Sequence, residues 1–348
     1  MRADGKAKKV MTFGEIMLRL SPPGHERLQQ TSELRMSFGG GEANVATSLA
    51  LLGHEAGFCT KLPTNDLGDA AIQQLRRFGV DTSAIARGGP RIGVYFLETG
   101  ASQRPSKVVY DRAGSSIATI DPDEIDPERV LDGIGWFHFT GITPSLGAGP
   151  AEATRRLAAA AKRRGIAVTC DLNFRAKLWT PDEARAAMRP LMEHVDVCIC
   201  NEEDADRCLG AAAKASDVER GQLDREGYAA LSTALIEEFS FETVAITLRE
   251  SISASRNLWS AVIAQRDQQD PYFSSKYDIQ IVDRVGGGDS FAAGLIASLI
   301  DGRDAADALE FAVAASCLKH SIPGDLNLVT REEVEKLLES GGTGRVER

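Results

Sequence analysis

Arg284-Val285-Gly286-Gly287-Gly288-Asp289-Ser290-Phe291-Ala292 runs three glycines into an aspartate, and the aspartate opens an apolar helical pattern. The preceding segment, Tyr277 to Val282, alternates polar and apolar residues and reads as a strand. Strand, glycine turn and helix start together make an anion site. The first N–H groups of a helix have no intrahelical partner, and the helix dipole favours negative charge there. Glycine lets a phosphate approach the backbone closely. An aspartate beside a phosphate is repelled by it, unless its task is to take a proton from a hydroxyl that attacks that phosphate. The alternative is a plain N-cap, a position aspartate suits well. These nine residues alone do not separate the two.

Working outward, strands and helices alternate from Trp136 to the end. The pattern predicts strands at 136–140, 166–171, 196–200, 243–248, 258–264 and 277–282. It predicts helices at 150–164, 181–193, 202–209, 226–239, 289–301, 304–317 and 331–339. Such alternation implies an α/β fold with a mostly parallel sheet covered on both faces. Before Trp136, Val10 to Leu20 reads as one strand, and Gly39-Gly40-Gly41 leads into a helix from Ala43 to Leu52. A short strand follows at Phe58 to Lys61, then a helix from Asp69 to Phe78. Val94–Leu97 and Lys107–Arg112 look like a hairpin with no helix between them. Residues 21–38 and 88–120 do not fit the alternation and predict a small β lid. The core is then 8–20 with 39–87 and 121–340, and 341–348 is a glycine-containing tail.

Bulk properties narrow the function. The 348 residues are 43% apolar, enough for a large core, and carry a net charge of −10. That charge argues against nucleic acid, which needs a broad basic surface. No run of about 18 apolar residues exists to span a membrane, and the basic N-terminus lacks the apolar stretch of a signal peptide. Six cysteines without zinc spacing suggest the cytoplasm, and Cys198 and Cys200 read as core residues.

No Gly-Lys-Ser/Thr follows a glycine loop, so there is no Walker A motif. The dinucleotide fingerprint also fails, because Asn44 and Phe291 stand where its third glycine belongs. Four clusters remain. Gly39-Gly40-Gly41 with Asn44 offers backbone donors and an amide for hydroxyls. Asp171-Leu172-Asn173-Phe174-Arg175 follows a strand, where open α/β sheets bind ligands, and Arg175 suits a phosphate or carboxylate. Asn201-Glu202-Glu203-Asp204 also follows a strand; its carboxylates suit Mg²⁺, or an ordinary acidic first helical turn. Tyr95 lies on one lid strand. Tyr110 and Arg112, two apart on another, share a face able to grip an acidic, hydroxylated ligand.

In their order, these pieces resemble the PfkB (ribokinase-like) carbohydrate kinases over nearly the whole chain, from Phe13-Gly14-Glu15 onward. Ile281 to Phe291, Leu318-Lys319-His320-Ser321-Ile322-Pro323-Gly324-Asp325 and Gly344-Arg345-Val346 look most like the branch acting on 2-keto-3-deoxygluconate (KDG). The resemblance implies a three-layer α/β/α core with a β lid often shared across a homodimer. It implies ATP-dependent phosphorylation of the sugar acid at its terminal hydroxyl, with Mg²⁺. Asp289 becomes the general base, and Gly286, Gly287 and Gly288 the anion hole. Gly40, Gly41, Asn44, Tyr95, Tyr110, Arg112, Arg175 and Asp325 become substrate contacts. Asn173, Arg175, Asn201, Thr247, Arg249 and Arg256, with Gly286 and Gly288, fall on the ATP side. Glu203 and Asp204 would hold the metal through water.

Two departures stand out. Gly287 replaces the alanine of the common Gly-Ala-Gly-Asp form, which costs a little rigidity. Asp204 replaces the glutamate of Asn-x-x-Glu, and Glu203 could substitute for it. A fructokinase or other neutral-sugar kinase, and a silent sugar-acid or nucleotide sensor, are the competing readings.

Overall fold

The computed structural model describes residues 9–212, 225–268 and 270–341. The predicted tail beyond Gly341, with Gly344-Arg345-Val346, lies outside the described residues, as does the basic start up to Lys8. The first part of the chain forms β1 (Lys9–Phe13), β2 (Met17–Ser21), β3 (Arg35–Gly39), α1 (Gly41–Leu51), β4 (Ala56–Leu62), α2 (Asp66–Arg77), β5 (Ile85–Arg87), β6 (Gly93–Glu98) and β7 (Lys107–Asp111). Then come α3 (Pro127–Val130), β8 (Ile134–Thr140), α4 (Ala148–Arg163), β9 (Ala167–Asp171), α5 (Pro181–Leu191), β10 (Val197–Cys200), α6 (Glu202–Leu209) and α7 (Arg225–Phe239). The chain closes with β11 (Thr243–Ser253), β12 (Arg256–Gln265), β13 (Tyr272–Phe273), β14 (Tyr277–Gln280), α8 (Gly287–Ile300), α9 (Ala305–Lys319) and α10 (Arg331–Ser340).

The large sheet runs β13-β12-β11-β10-β9-β8-β1-β4-β5, with β14 beside β12. All pairs from β11 to β5 are parallel, and β12, β13 and β14 add an antiparallel edge. Successive side chains of a strand face opposite layers. Trp136 accordingly joins the apolar cluster with α1, α8 and α9, while Phe137 and Phe139 join the cluster with α4 to α7. Burying each of these rings contributes roughly 1.5–3 kcal/mol. Cys198 and Cys200 are buried on β10 with free thiols, as core residues.

The small sheet runs β3-β2-β6-β7 and includes the hairpin expected from the sequence. One expectation fails. Val10 to Leu20 is not a single strand: the chain leaves the large sheet after Phe13 and enters the small one at Met17. Residues 17–20 therefore belong with the small sheet, not with the large one. The sequence conceals this break because both strands are almost wholly buried, so the apolar run continues across it. Glu15, in the connection, is buried and receives Arg112 and Ser115 from beyond β7. The joint between the large and small sheets thus contains a buried ion pair.

Parallel pairing sets the strand ends level. Thr140 lies opposite Asp171, and Asp171 opposite Ile199, so β8, β9 and β10 present their C-termini along one line. Open α/β sheets form their ligand crevice there.

Candidate active site

α8 begins at Gly286, whose φ of 85° is left-handed backbone that glycine adopts without strain. A Cβ there would stand 2.0 Å from the Asp325 carbonyl oxygen, so space also demands glycine. No side chain caps this helix. Asp289 lies at its third residue and bonds outward: Asn44 Nδ2 donates to its Oδ2 at 2.7 Å, across 245 residues of sequence. The N-cap alternative therefore fails. Burial pushes the Asp289 carboxyl up to about 6, raised further by Asp325, against the Asn44 bond and the charges of Arg175 and Lys319. Its side chain nonetheless keeps partial access to the cleft. A partly accessible carboxylate of raised basicity, at an open helix N-terminus, suits a general base.

Gly287 has its own reason to be glycine. A Cβ there would meet the His320 ring, 2.6 Å from Cε1. The ring is tilted against Trp259, with centroids 5.4 Å apart, and Nδ1 lies 2.6 Å from the Ser316 carbonyl oxygen. Gly288 has open space beyond it.

α1 also starts without a side-chain cap, at Gly40. Gly41 faces Thr140 and Asp289, and Asn44 is buried one turn on. Glu42, fully buried, accepts from Thr140 N–H at 3.0 Å and from the Thr140 and Thr143 hydroxyls at 2.8 and 2.6 Å. Burial raises its carboxyl to about 7, against those hydrogen bonds.

On the small sheet, the Tyr95 and Tyr110 rings are tilted against each other with centroids 6.0 Å apart, and the Arg112 guanidinium lies 5.4 Å from the Tyr110 ring. Arg112 is buried and already holds the Glu15 carboxylate. Asp325, expected to meet sugar hydroxyls, has both oxygens engaged: Tyr95 donates its hydroxyl at 2.5 Å and Arg19 donates at 2.6 Å. Arg19 also donates to Asp283 at 2.5 Å. In this structure Asp325 ties the small sheet to the glycine turn rather than projecting free into the cleft.

Arg175, Arg249 and Arg284 have no carboxylate within 4 Å among the described residues, unlike Arg19 and Arg112 beside them. Arg284 Nε is buried without a partner, and desolvation and Arg249 lower its pKa. Uncompensated guanidinium groups converging near a glycine turn suit a polyanion. Asn173 has a φ of 40° and is buried beside Asp171, whose carboxyl is raised well above the usual range by burial, Asp204 and Asp289. Thr247 donates its hydroxyl to the Cys200 carbonyl at 3.4 Å.

Two residues expected on the nucleotide and metal side already have protein partners. Arg256 grips Asp278 with two hydrogen bonds, of 2.9 and 2.6 Å, on the exposed β12–β14 pair. Its charge is already neutralised there. Asp204 turns inward and accepts from Phe174 N–H at 2.9 Å and Asn201 N–H at 3.4 Å. Asn201 Oδ1 in turn accepts from Asp204 N–H at 2.8 Å, closing a capping box on α6. The shorter aspartate makes a structural cap, and Glu203 is the exposed carboxylate. Among the described residues no three His, Cys, Asp or Glu side chains gather to hold a metal. The donors present fit a Mg²⁺ carried by phosphates and its own waters.

The sequence reading missed Glu15, Arg19, Glu42, Asp283, Arg284 and Lys319. Arg19 and Lys319 did leave a trace, as charges inside apolar runs (Leu18-Arg19-Leu20, Leu318-Lys319).

The pfkB family carbohydrate kinase model matches residues 7–330. A 2-dehydro-3-deoxygalactonokinase of Haloferax volcanii is 34% identical, over 97% of this chain and 98% of its own. A 2-dehydro-3-deoxygluconokinase of Bacillus subtilis is 29% identical over 96% of both. Among solved structures, 2-dehydro-3-deoxygluconokinase from Thermotoga maritima superposes with a TM-score of 0.92 at 53% identity, covering 96% of this chain and 100% of that one.

Proposed function

The chain belongs to the pfkB family of carbohydrate kinases, and we propose that it is an ATP-dependent 2-dehydro-3-deoxygluconokinase, moving a phosphoryl group to the 6-hydroxyl of KDG. One observation carries the chemistry: a carboxylate of raised basicity, Asp289, held by Asn44 at the open N-terminus of α8. Asp289 takes the proton of the terminal hydroxyl, and the oxygen attacks the γ-phosphorus in line as its bond to the β,γ-bridging oxygen breaks and ADP leaves. Charge gathering on the transferred group meets the N–H groups of Gly286, Gly287 and Gly288; no side chain caps them, and that of Gly287 donates to the Arg284 carbonyl at 3.3 Å.

The sugar acid is held between Gly40, Gly41 and Asn44 on the core side and Tyr95, Tyr110 and Arg112 on the lid. Arg175 supplies a cation with which no carboxylate pairs among the described residues. A neutral sugar gives Arg175 nothing to pair with, whereas Arg112 already holds Glu15. Arg249 and Arg284 face the phosphates; Asn173, Asn201 and Thr247 line the remaining nucleotide side. Mg²⁺ entering with ATP neutralises phosphate charge, and Glu203 is placed to hold one of its waters. Leu34, Met36, Val109 and Tyr110 leave apolar surface exposed on the lid strands and their approach, which supports a homodimer joined through the lids.

A second reading has its own support: the Haloferax volcanii relative is named for the galactose-derived epimer. Phosphorylation of KDG, its galactose-derived epimer and fructose, followed by ADP release and product mass, tests all of this. Turnover with fructose alone would refute sugar-acid recognition, and no turnover with any of them would leave a sensor.

A further inference from the structure

The glycine turn rests on the last turn of α9. Ser316 Oγ donates to the Gly287 carbonyl at 2.7 Å, and the His320 carbonyl accepts from Val282 and Asp283 N–H at 2.8 and 3.2 Å. This brings a helix C-terminus, the negative end of its dipole, against the back of a site that must receive an anion. Such an arrangement opposes phosphate binding unless a positive charge intervenes.

Lys319 lies there. It is fully buried, and its ammonium donates to the Asp283 and Ile322 carbonyls at 3.3 and 3.1 Å. Its Cε is 3.1 Å from where a Gly286 Cβ would be, so the stem passes directly under the turn. Among the described residues no carboxylate lies within 4 Å of Nζ; Arg19 binds both nearby acids, Asp283 and Asp325. A buried ammonium held only by carbonyls is uncommon, since burial disfavours the charge. Desolvation does lower its pKa, while Asp283, Asp325 and Asp289 act to keep it protonated and Arg19 opposes them. Arg19 and Lys319 together balance Asp283 and Asp325. Without Lys319 the buried set behind the turn carries a net negative charge.

We propose that Lys319 is a positioning residue for phosphoryl transfer: a fixed internal cation that offsets the C-terminus of α9 and the two buried acids, so that the Gly286–Gly288 turn faces the phosphate with net positive potential. It acts through the turn, not by touching substrate. The inference rests on the kinase reading, and its test separates the two.

The variants are Lys319→Met, which keeps the stem and removes the charge, and Lys319→Ala, which leaves room for a small amine. Lys319→Met should lower kcat about 10- to 100-fold, somewhat less than loss of a direct oxyanion donor, with KM for the sugar within about twofold. Ammonium or methylammonium ions should restore at least about fivefold in Lys319→Ala, and tetramethylammonium, too large for the space, should not. A kcat for Lys319→Met within about twofold of wild type overturns the proposal. So does a loss that ammonium does not reverse in Lys319→Ala, whether or not either variant is less stable, because a merely structural lysine gives that pattern. If the wild type phosphorylates no sugar, the kinase reading fails on its own. Pyrophosphate binding to wild type and Lys319→Met then decides: weaker binding by the variant supports the internal cation, and equal binding refutes it.

Discussion

α6 and α8 both begin at the cleft, yet one start is closed and the other open. α6 opens on Asn201, whose amide accepts an N–H of its own helix while Asp204 bonds back to it. α8 opens on a left-handed glycine with no side-chain partner, and its acidic residue points away to Asn44. Both termini carry an acidic residue at the third helical position, and both carboxyls are raised to about 6 by burial. The difference is where the carboxylate is spent. In α6 it completes the cap; in α8 it lies partly accessible at the cleft, held by Asn44. An open start alone is not enough, since α4 also begins uncapped, at Gly147, without a carboxylate and an amide brought together in front of it.

The largest expected effect breaks the comparison at the base. Asp289→Asn should lower kcat by about 10² to 10⁴, the scale of a positioned general base; near-normal turnover would sink the assignment. The wild-type kcat/KM should fall as pH drops below about 6, where Asp289 gains its proton. Stability moves the other way. Because its folded pKa is raised from 3.8, the stability linked to this group is present at low pH and is lost as pH rises through about 6. Asp289→Asn should therefore unfold at a higher temperature than wild type at pH 8, and a lower midpoint would contradict the linkage.

Next come the glycines. Gly286→Ala places a side chain against the Asp325 carbonyl at positive φ and should cost about 1–3 kcal/mol of stability along with most activity. Gly288→Ala meets no protein atom and should fold normally, losing activity only through the space a phosphate needs. Equal unfolding midpoints for the two variants would remove the distinction between a structural and a ligand-facing glycine.

Arg112→Ala should harm KDG turnover more than that of a neutral ketohexose, by about tenfold or more, as loss of a charged hydrogen bond implies. Equal losses on both sugars would reduce Arg112 to the partner of Glu15. The smallest effect belongs to the closed terminus. Asn201→Ala should cost about 1 kcal/mol of stability, the worth of a cap, and raise KM for ATP only about fivefold, as one lost hydrogen bond would. A far larger rise would make α6 as functional as α8.

Much of this was legible beforehand, for local reasons. The β8-to-α10 alternation follows from periodicity, and Gly286-Gly287-Gly288-Asp289 marks a glycine turn and helix start because the signal is contiguous. The β1–β2 break was not legible, because burial on both faces erases the alternation that marks a strand's sheet. The partners of Asp204 and Arg256 were hidden for another reason. A carboxylate or guanidinium is written the same way whether it is free or already bound, and their partners, Phe174 and Asp278, lie 30 and 22 residues away. Gly287 looked like a small loss of rigidity, and the His320 ring explains it.

By itself the sequence determined the α/β class, the glycine turn and its aspartate, and the supply of arginines, since each depends on residues a few positions apart. Tertiary structure decided which charges remain available. Glu15 takes up Arg112, Arg19 takes up Asp283 and Asp325, and Lys319 comes to lie under Gly286. Whether a charge is neutralised or free is a matter of a few ångströms between segments up to 306 residues apart, and only the folded chain sets that distance.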